Sequence, residues 1–192
     1  MSPRTQDQLQ QLRETRKQHI LEAALKVFAA HGYDGATINM IAKEAGIAKG
    51  LMYTYYESKE KLVEELIRFG LKKAASFMQE KPFHHLTTRK AFEESLRHMI
   101  DLFLQETDFW RLYTMLALQP NLASKFKKES MAFVEQYLGI YIAYFQKRKS
   151  KDPMAEAMLL GTIIDGLMFD LLIAPAEYPL DDVIKMVVKK FA

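Results

Sequence analysis

Apolar residues recur at helical spacing along most of this 192-residue chain. Ile20, Ala24 and Phe28 stand at positions i, i+4 and i+8, which places them on one face of a helix. The pattern predicts a helix over residues 8–31. Gly32 follows it, where a left-handed backbone would end the helix.

The same periodicity continues to the C-terminus. Further helices are predicted over residues 38–45, 48–55, 59–79, 88–105, 107–118, 121–149, 153–173 and from residue 180 onward. Pro82, Pro120 and Pro153 mark breaks, because proline is not tolerated inside a helix. The sequence therefore predicts an all-α fold, with a small domain over residues 1–58 and a larger helical bundle over residues 59–192.

Composition narrows the class of protein. Hydrophobic residues make up 49% and charged residues 27%, as in globular domains, and there is no cysteine. Disulfides, thiolate catalysis and cysteine-based zinc sites are thereby excluded. The polar N-terminus lacks the apolar core of a signal peptide, and Asp165 and Asp170 interrupt the most apolar segment. We therefore expect a cytoplasmic protein that does not associate with membranes.

The segment from Thr37 to Tyr56 reads as two short helices joined at Gly46. No acidic side chain lies between Ile47 and Tyr56. A helix pair of this size is typical of a helix-turn-helix that docks in the DNA major groove. The net charge of +3 adds little to this interpretation. The pattern therefore predicts a helix-turn-helix domain that binds double-stranded DNA.

Residues 13–62 resemble the TetR (tetracycline-repressor) family of one-component regulators. The matching motifs are Ile20-Leu21-Glu22-Ala23-Ala24, Phe28, Gly32-Tyr33, Ala36-Thr37-Ile38, Ile41-Ala42, Ala45-Gly46-Ile47, Lys49-Gly50-Leu51-Met52-Tyr53, Tyr55-Tyr56 and Ser58-Lys59-Glu60-Lys61-Leu62. The resemblance implies an all-helical homodimer whose C-terminal domain binds a ligand. Ala48 departs from the family pattern, which often has Ser there, and Asn39 and Met40 replace a frequent charged pair.

The predicted DNA contacts follow from the helix pair and from the resemblance. They are Thr37, Asn39, Lys49, Gly50, Leu51, Tyr53, Thr54, Tyr55 and Lys59. Thr37 caps a helix whose free amides suit a phosphate. Lys49 reaches a phosphate or a guanine edge, and Lys59 reaches a further phosphate. Met52 and Tyr56 are expected to face inward.

Aromatic and methionine side chains are concentrated between residues 99 and 145. Such residues line apolar ligand cavities, although for any one of them an ordinary place in the core is the alternative. The predicted ligand-binding residues are Met99, Phe103, Trp110, Tyr113, Phe133, Tyr137, Tyr141 and Asp165. Asp165 either contacts the ligand or makes an internal hydrogen bond. Few charges lie among these side chains, so we expect a small hydrophobic effector.

The helix at 153–173 has an apolar stripe too wide for one buried face, with Gly161 and Gly166 allowing close approach of another helix. A second copy of the chain is the commonest partner for such a helix. We predict that this helix and the last one form an intersubunit four-helix bundle. The predicted dimer contacts are Leu160, Ile164, Leu167, Leu171, Ile184 and Val188.

Together these features predict a ligand-responsive transcriptional repressor that binds a palindromic operator as a dimer and is released by its effector. One alternative is an enzyme with a metal site. No Glu is followed three residues later by His, however, and neither Glu94 with His98 nor His84 with His85 fits a di-metal site. We therefore expect no metal, no cofactor and no catalysis. A second alternative is a helical ligand-binding module without operator binding. Lys49, Tyr53 and Lys59 argue against it, as does the absence of an acidic residue from the second helix of the pair.

Overall fold

The computed structural model describes residues 5–79, 86, 88–174 and 176–192. The described helices are α1 (Gln6–Gly35), α2 (Ile38–Glu44), α3 (Lys49–Tyr55), α4 (Lys59–Met78), α5 (Arg89–Leu104), α6 (Thr107–Ala117), α7 (Pro120–Lys125), α8 (Lys127–Lys147), α9 (Pro153–Ile173) and α10 (Leu180–Phe191). No strand occurs among these residues, which confirms the all-α prediction. Pro82, His84, His85 and Pro175 lie outside the described residues.

Most helix limits agree with the sequence pattern, but the segment predicted as one helix over residues 121–149 is two helices. The break lies at Phe126, whose backbone leaves the helical region while its side chain is buried. Pro120 opens α7, where its missing amide hydrogen costs nothing. A buried aromatic ring therefore coincides with a helix break that local periodicity alone did not predict.

The described residues divide into two compact units. The first comprises Met1–Gly70 with Leu112–Lys125, and the second comprises Leu71–Arg111 with Phe126–Ala192. The first unit is larger than the expected domain over residues 1–58. The start of α4 packs in its core, where Leu62 and Leu66 are completely buried.

The first unit is built around the helix-turn-helix. Its largest fully buried side chains are Ile20, Leu25, Phe28, Ile41, Met52, Leu62, Leu66 and Leu116. Gly46 has φ +62° in the turn between α2 and α3, a left-handed conformation that favours glycine. The Ile47 amide donates to the Ala42 carbonyl at 3.0 Å. This turn fixes the direction in which α3 leaves α2.

Residues 112–125 are attached to this unit by three polar contacts. The Tyr33 amide donates to the Gln119 side chain at 3.2 Å, and Lys125 pairs with Glu64 at 3.1 Å. The Tyr113 hydroxyl donates to the Ile67 carbonyl at 2.9 Å. The ring of Tyr113 also covers the backbone of α4, so this chain segment is part of the N-terminal unit.

The second unit is a helical bundle. Gly161 of α9 lies against Leu138 of α8, because a Cβ built at Gly161 would stand 3.4 Å from the Leu138 side chain. Arg97 of α5 pairs with Asp181 of α10 at 2.7 Å. The Tyr144 hydroxyl donates to the Phe191 carbonyl at 3.2 Å. The last helix is thereby attached to α5 near its N-terminus and to α8 at its C-terminus.

The close approach of Tyr113 to α4 yields a stability prediction. A Cβ added at Gly70 would overlap the Tyr113 ring, whereas one added at Gly139 of α8 would meet nothing. Gly70→Ala is expected to lower the free energy of unfolding by about 1–3 kcal/mol through overpacking. Gly139→Ala is expected to leave it unchanged or raise it by up to about 1 kcal/mol. Urea denaturation followed by circular dichroism measures both, and equal stabilities would contradict this packing.

Candidate nucleic-acid interface and ligand cavity

Helix α3 presents one face to solvent and buries the other. Met52 and Tyr56 are buried, and the Tyr56 hydroxyl donates to the Lys17 carbonyl of α1 at 3.4 Å. Their inward orientation was predicted and is confirmed. The exposed residues of the helix are Lys49, Gly50, Leu51, Tyr53 and Thr54, and Tyr55 is half-buried. The face left open is therefore the one on which most of the predicted DNA contacts lie.

The start of each helix in this pair is capped differently. The Thr37 hydroxyl accepts a hydrogen bond from the Met40 amide at 3.2 Å, as an N-cap does, and Asn39 beside it is exposed. Ala48 stands at the N-cap of α3 and makes no side-chain cap bond. The amides that open α3 therefore lack the side-chain acceptor that Ser would supply.

An open groove beside α3 was missed in the sequence analysis. The residues that line it are Leu9, Leu12, Arg13, Thr15, Arg16 and His19 of α1 with Thr54 and Tyr55 of α3. Neither arginine forms an ion pair with another described residue. Helix α1 is capped at Thr5, and its first turns are exposed. Helical spacing places Arg13, Arg16 and His19 on one side of α1. The sequence therefore contained a signal for this groove, but only the apolar face of the helix was used to predict contacts.

Lys59 does not lie where the predicted phosphate contact requires. Its ammonium donates to the carbonyls of Tyr33 at 2.9 Å, Ala36 at 3.0 Å and Asp34 at 3.5 Å. It also lies 4.6 Å from the centre of the Tyr33 ring. An ammonium has three hydrogens, and these carbonyls engage all three. Lys59 thus closes the C-terminal end of α1 and leaves no donor for DNA.

The second unit contains a cavity of about 340 Å³. The residues that line it are Ala74, Met99, Phe103, Trp110, Phe133, Val134, Tyr137, Leu138, Met158, Gly161, Thr162, Ile164, Asp165 and Met168. They come from α4, α5, α6, α8 and α9. Most are apolar, and among the described residues that line the cavity only Asp165 carries a charge.

Six of the eight predicted ligand-binding residues line this cavity: Met99, Phe103, Trp110, Phe133, Tyr137 and Asp165. The other two predictions need correction. Tyr113 belongs to the first unit, where its hydroxyl is bonded to the Ile67 carbonyl. Tyr141 is buried next to Tyr137, with ring centres 5.2 Å apart, and is not among the lining residues. Helical periodicity alone does not show that these two rings lie outside the cavity wall.

Tyr137 and Asp165 contribute polar groups to the apolar wall. The Tyr137 hydroxyl is buried and makes no hydrogen bond of good geometry with a described residue. Burial raises the pKa of Tyr137 well above its ordinary value, and Tyr141 and Asp165 nearby add to the increase. Asp165 keeps access to solvent, yet its partly apolar surroundings raise the pKa of its carboxyl. Both groups are placed to interact with a molecule in the cavity.

The six residues predicted to form the dimer interface are buried within the chain itself. Leu160, Ile164, Leu167, Leu171, Ile184 and Val188 are each 3% exposed or less. They fill the core of the second unit and have no surface left for a partner, so this assignment is wrong. The exposed apolar residues of α9 and α10 are different ones: Met154, Met158, Leu159, Phe169, Ile173 and Met186.

Residues 20–66 match the model of a known family, "bacterial regulatory proteins, tetR family". The match contains α2, α3 and the buried contacts that hold them. Residues 20–66 of this chain therefore belong to the TetR family. The resemblance found in the sequence is thereby confirmed.

Relatives of this chain carry names of transcriptional regulators. The uncharacterized HTH-type transcriptional regulator YhgD of Bacillus subtilis is 40% identical over 82 residues, 40% of this chain and 43% of that protein. The match to YuxN of the same organism likewise covers only 44% of that protein. The chain therefore spans less than half the length of these two relatives. AcrR of Shigella flexneri is 27% identical over 188 residues, 89% of this chain and 84% of that protein.

Solved structures share the fold of this chain. FadR of Bacillus subtilis, a transcriptional regulator solved in complex with stearoyl-CoA, matches with a TM-score of 0.69 and 21% identity, covering 91% of this chain and 96% of that one. A TetR-like regulator from Rhodococcus sp. RHA1 matches with a TM-score of 0.67 and 22% identity, covering 91% and 92%. At these identities the likeness establishes the fold.

The bonds of Lys59 make a testable distinction within this TetR-family domain. Lys59→Met removes the ammonium and leaves three carbonyls without it, so the free energy of unfolding is expected to fall by about 1–3 kcal/mol. Lys43→Met, at an exposed lysine of α2, is expected to change it by less than about 0.5 kcal/mol. Thermal and urea denaturation measure both variants. Unchanged stability of the Lys59 variant would indicate that the lysine is not a structural group.

Proposed function

We propose that this chain is a ligand-responsive transcriptional repressor that binds a palindromic operator as a dimer and is released by a small hydrophobic effector. The observation that carries the proposal is the division of α3 into two faces. Met52 and Tyr56 fix the helix in the core, while Lys49, Leu51 and Tyr53 remain exposed. An anchored short helix with one open face is how a helix-turn-helix reads DNA.

The proposed interface consists of α3, the start of α2 and the basic side of α1. Tyr53 and Thr54 offer hydrogen-bonding groups, and Leu51 offers an apolar contact for a thymine methyl group. Gly50 is exposed and has open space around it, which allows close approach of the backbone to DNA. Arg13 and Arg16 extend the interface, because their groove is continuous with Thr54 and Tyr55 of α3. We do not include Lys59, whose ammonium is already bonded.

The dimer is proposed to form through the open face of α9. Leu159, Gly166 and Ile173 repeat every seven residues and therefore share one side of the helix. Leu159 is 46% and Ile173 is 68% exposed in the single chain. Phe169 lies on the same side and is 53% exposed. Gly166 has nothing near its absent Cβ, so a helix of a second copy has room to approach closely.

The cavity is proposed as the effector site. Helix α6 connects this site to the DNA-binding unit through the chain: Trp110 lines the cavity, and Tyr113, one turn later, is bonded to Ile67 of α4. An effector that binds one conformer more tightly shifts the equilibrium by that difference in affinity. The stearoyl-CoA complex of FadR supports the idea that this fold accommodates a small molecule.

DNA binding is tested with a palindrome enriched from random sequence. Arg16→Ala and Lys49→Ala are each expected to weaken binding and to lower the slope of log affinity against log salt concentration by about one. The control is Lys189→Ala, at an exposed lysine of α10. Fluorescence anisotropy over a range of salt concentrations gives the slopes. Failure of the wild type to enrich any palindrome would favour the ligand-binding module instead.

The dimer face is tested by adding a charge to it. Phe169→Glu is expected to shift the dimer toward monomer by about tenfold or more in dissociation constant, because the carboxylate would be buried in an apolar interface. Met131→Glu places the same charge on α8, at a residue 51% exposed, and is expected to leave assembly unchanged. Sedimentation equilibrium measures both variants. A wild-type monomer, or a dimer unaffected by Phe169→Glu, would contradict the proposed face.

A further inference from the structure

The walls of the cavity suit one kind of charge. Phe103 and Trp110 are stacked with ring centres 6.0 Å apart, and Phe133 and Tyr137 are stacked at 6.4 Å. Aromatic faces carry negative potential and attract cations, most strongly where water is excluded. Neutral apolar molecules also fit such walls, so the rings alone do not decide between the two.

The charged group in the wall favours a cation over a neutral molecule. Among the described residues that line the cavity, Asp165 is the one with a charge, and Thr162 and Tyr137 are the neutral polar ones. A carboxylate beside apolar walls is costly unless a cation or hydrogen-bond donors accompany it. Asp165 has no ion pair with another described residue. Desolvation on its cavity side raises the pKa of the carboxyl, although the residue keeps access to solvent.

The same wall is unfavourable for an anionic effector. A fatty-acid carboxylate or an acyl-CoA would place its negative charge in a site where the described lining offers Asp165 and no lysine, arginine or histidine. Like charges repel, and the repulsion is stronger beside these apolar walls than in bulk water. An effector of the kind bound to FadR, stearoyl-CoA, is therefore disfavoured by the lining of this cavity.

We propose that the cavity binds a lipophilic cation whose positive centre pairs with Asp165 and whose apolar groups lie among Phe103, Trp110 and Phe133. Tyr137 of the same wall supplies a hydroxyl as the second polar contact, close to Asp165 and Tyr141. This inference rests on the proposed function in one respect, namely that the cavity is the effector site. It narrows the effector from a hydrophobic molecule to an organic cation.

The test uses a pair of ions with the same shape and opposite charge. Tetraphenylphosphonium and tetraphenylborate are titrated into the full chain, and binding is followed by the fluorescence of Trp110, the only tryptophan. Tetraphenylphosphonium is expected to bind at least about tenfold more tightly than tetraphenylborate. Asp165→Asn is expected to weaken tetraphenylphosphonium binding by about tenfold and to weaken tetraphenylborate binding little or not at all.

Two control variants separate the Asp165 contact from net charge and folding. Asp101→Asn removes an equal charge from an exposed position on α5 and is expected to bind as the wild type does. Asp165→Glu keeps the charge and is expected to retain most of the affinity. Thermal denaturation shows whether each variant folds. Equal tetraphenylphosphonium affinity of wild type and folded Asp165→Asn, or tighter binding of tetraphenylborate or stearoyl-CoA to the wild type, would overturn the proposal.

A DNA measurement distinguishes failure of this inference from failure of the proposed function. Operator affinity is measured with and without tetraphenylphosphonium for the wild type and for Asp165→Asn. If the cation releases DNA from the wild type but not from Asp165→Asn, the result supports both the cation site and the proposed function. Binding of the cation through Asp165 without any change in DNA affinity supports the cation site and contradicts its role as effector site. DNA release by stearoyl-CoA, with no binding of the cation, supports the proposed function and overturns the cation assignment.

Discussion

The orientation of α3 depends on two side chains, Met52 and Tyr56. A helix of seven residues is not stable by itself in water, because too few hydrogen bonds offset the cost of ordering its backbone. Here a buried thioether and a buried ring fix the helix against α1 and α2, and the Tyr56 hydroxyl bonds to the Lys17 carbonyl. The helix therefore keeps its form while the opposite face stays open to a partner.

Helix α9 has three faces, and each of them has a different role. One face fills the core of its own unit, a second contributes Gly161 and Asp165 to the cavity, and a third leaves Leu159 and Ile173 exposed. A helix that is apolar all round needs partners on every side. The single chain covers the first face completely and the second face in part. We propose that an effector and a second copy of the chain complete the others.

Much of the helical architecture was predictable from local pattern. Three helices begin with a side chain that accepts a hydrogen bond from a backbone amide, namely Thr37, Thr88 and Asp152. The sequence suggested this cap for Thr37. The break at Phe126 was not predictable, since it depends on where the ring is buried. Helical periodicity shows that a face is apolar. It does not show whether the atoms that cover that face belong to the same chain, to a ligand or to a partner.

The sequence by itself determined the family, the all-helical fold and the position of the recognition helix, because these follow from spacing, capping and turn residues along a short stretch of chain. Only the tertiary structure decided the use of individual side chains. It engaged Lys59 with three carbonyls, buried Leu160 and Ile184 in the core, and turned Tyr113 toward α4. It also placed Asp165 in an apolar wall. These outcomes depend on contacts between residues far apart in sequence, which no local pattern encodes.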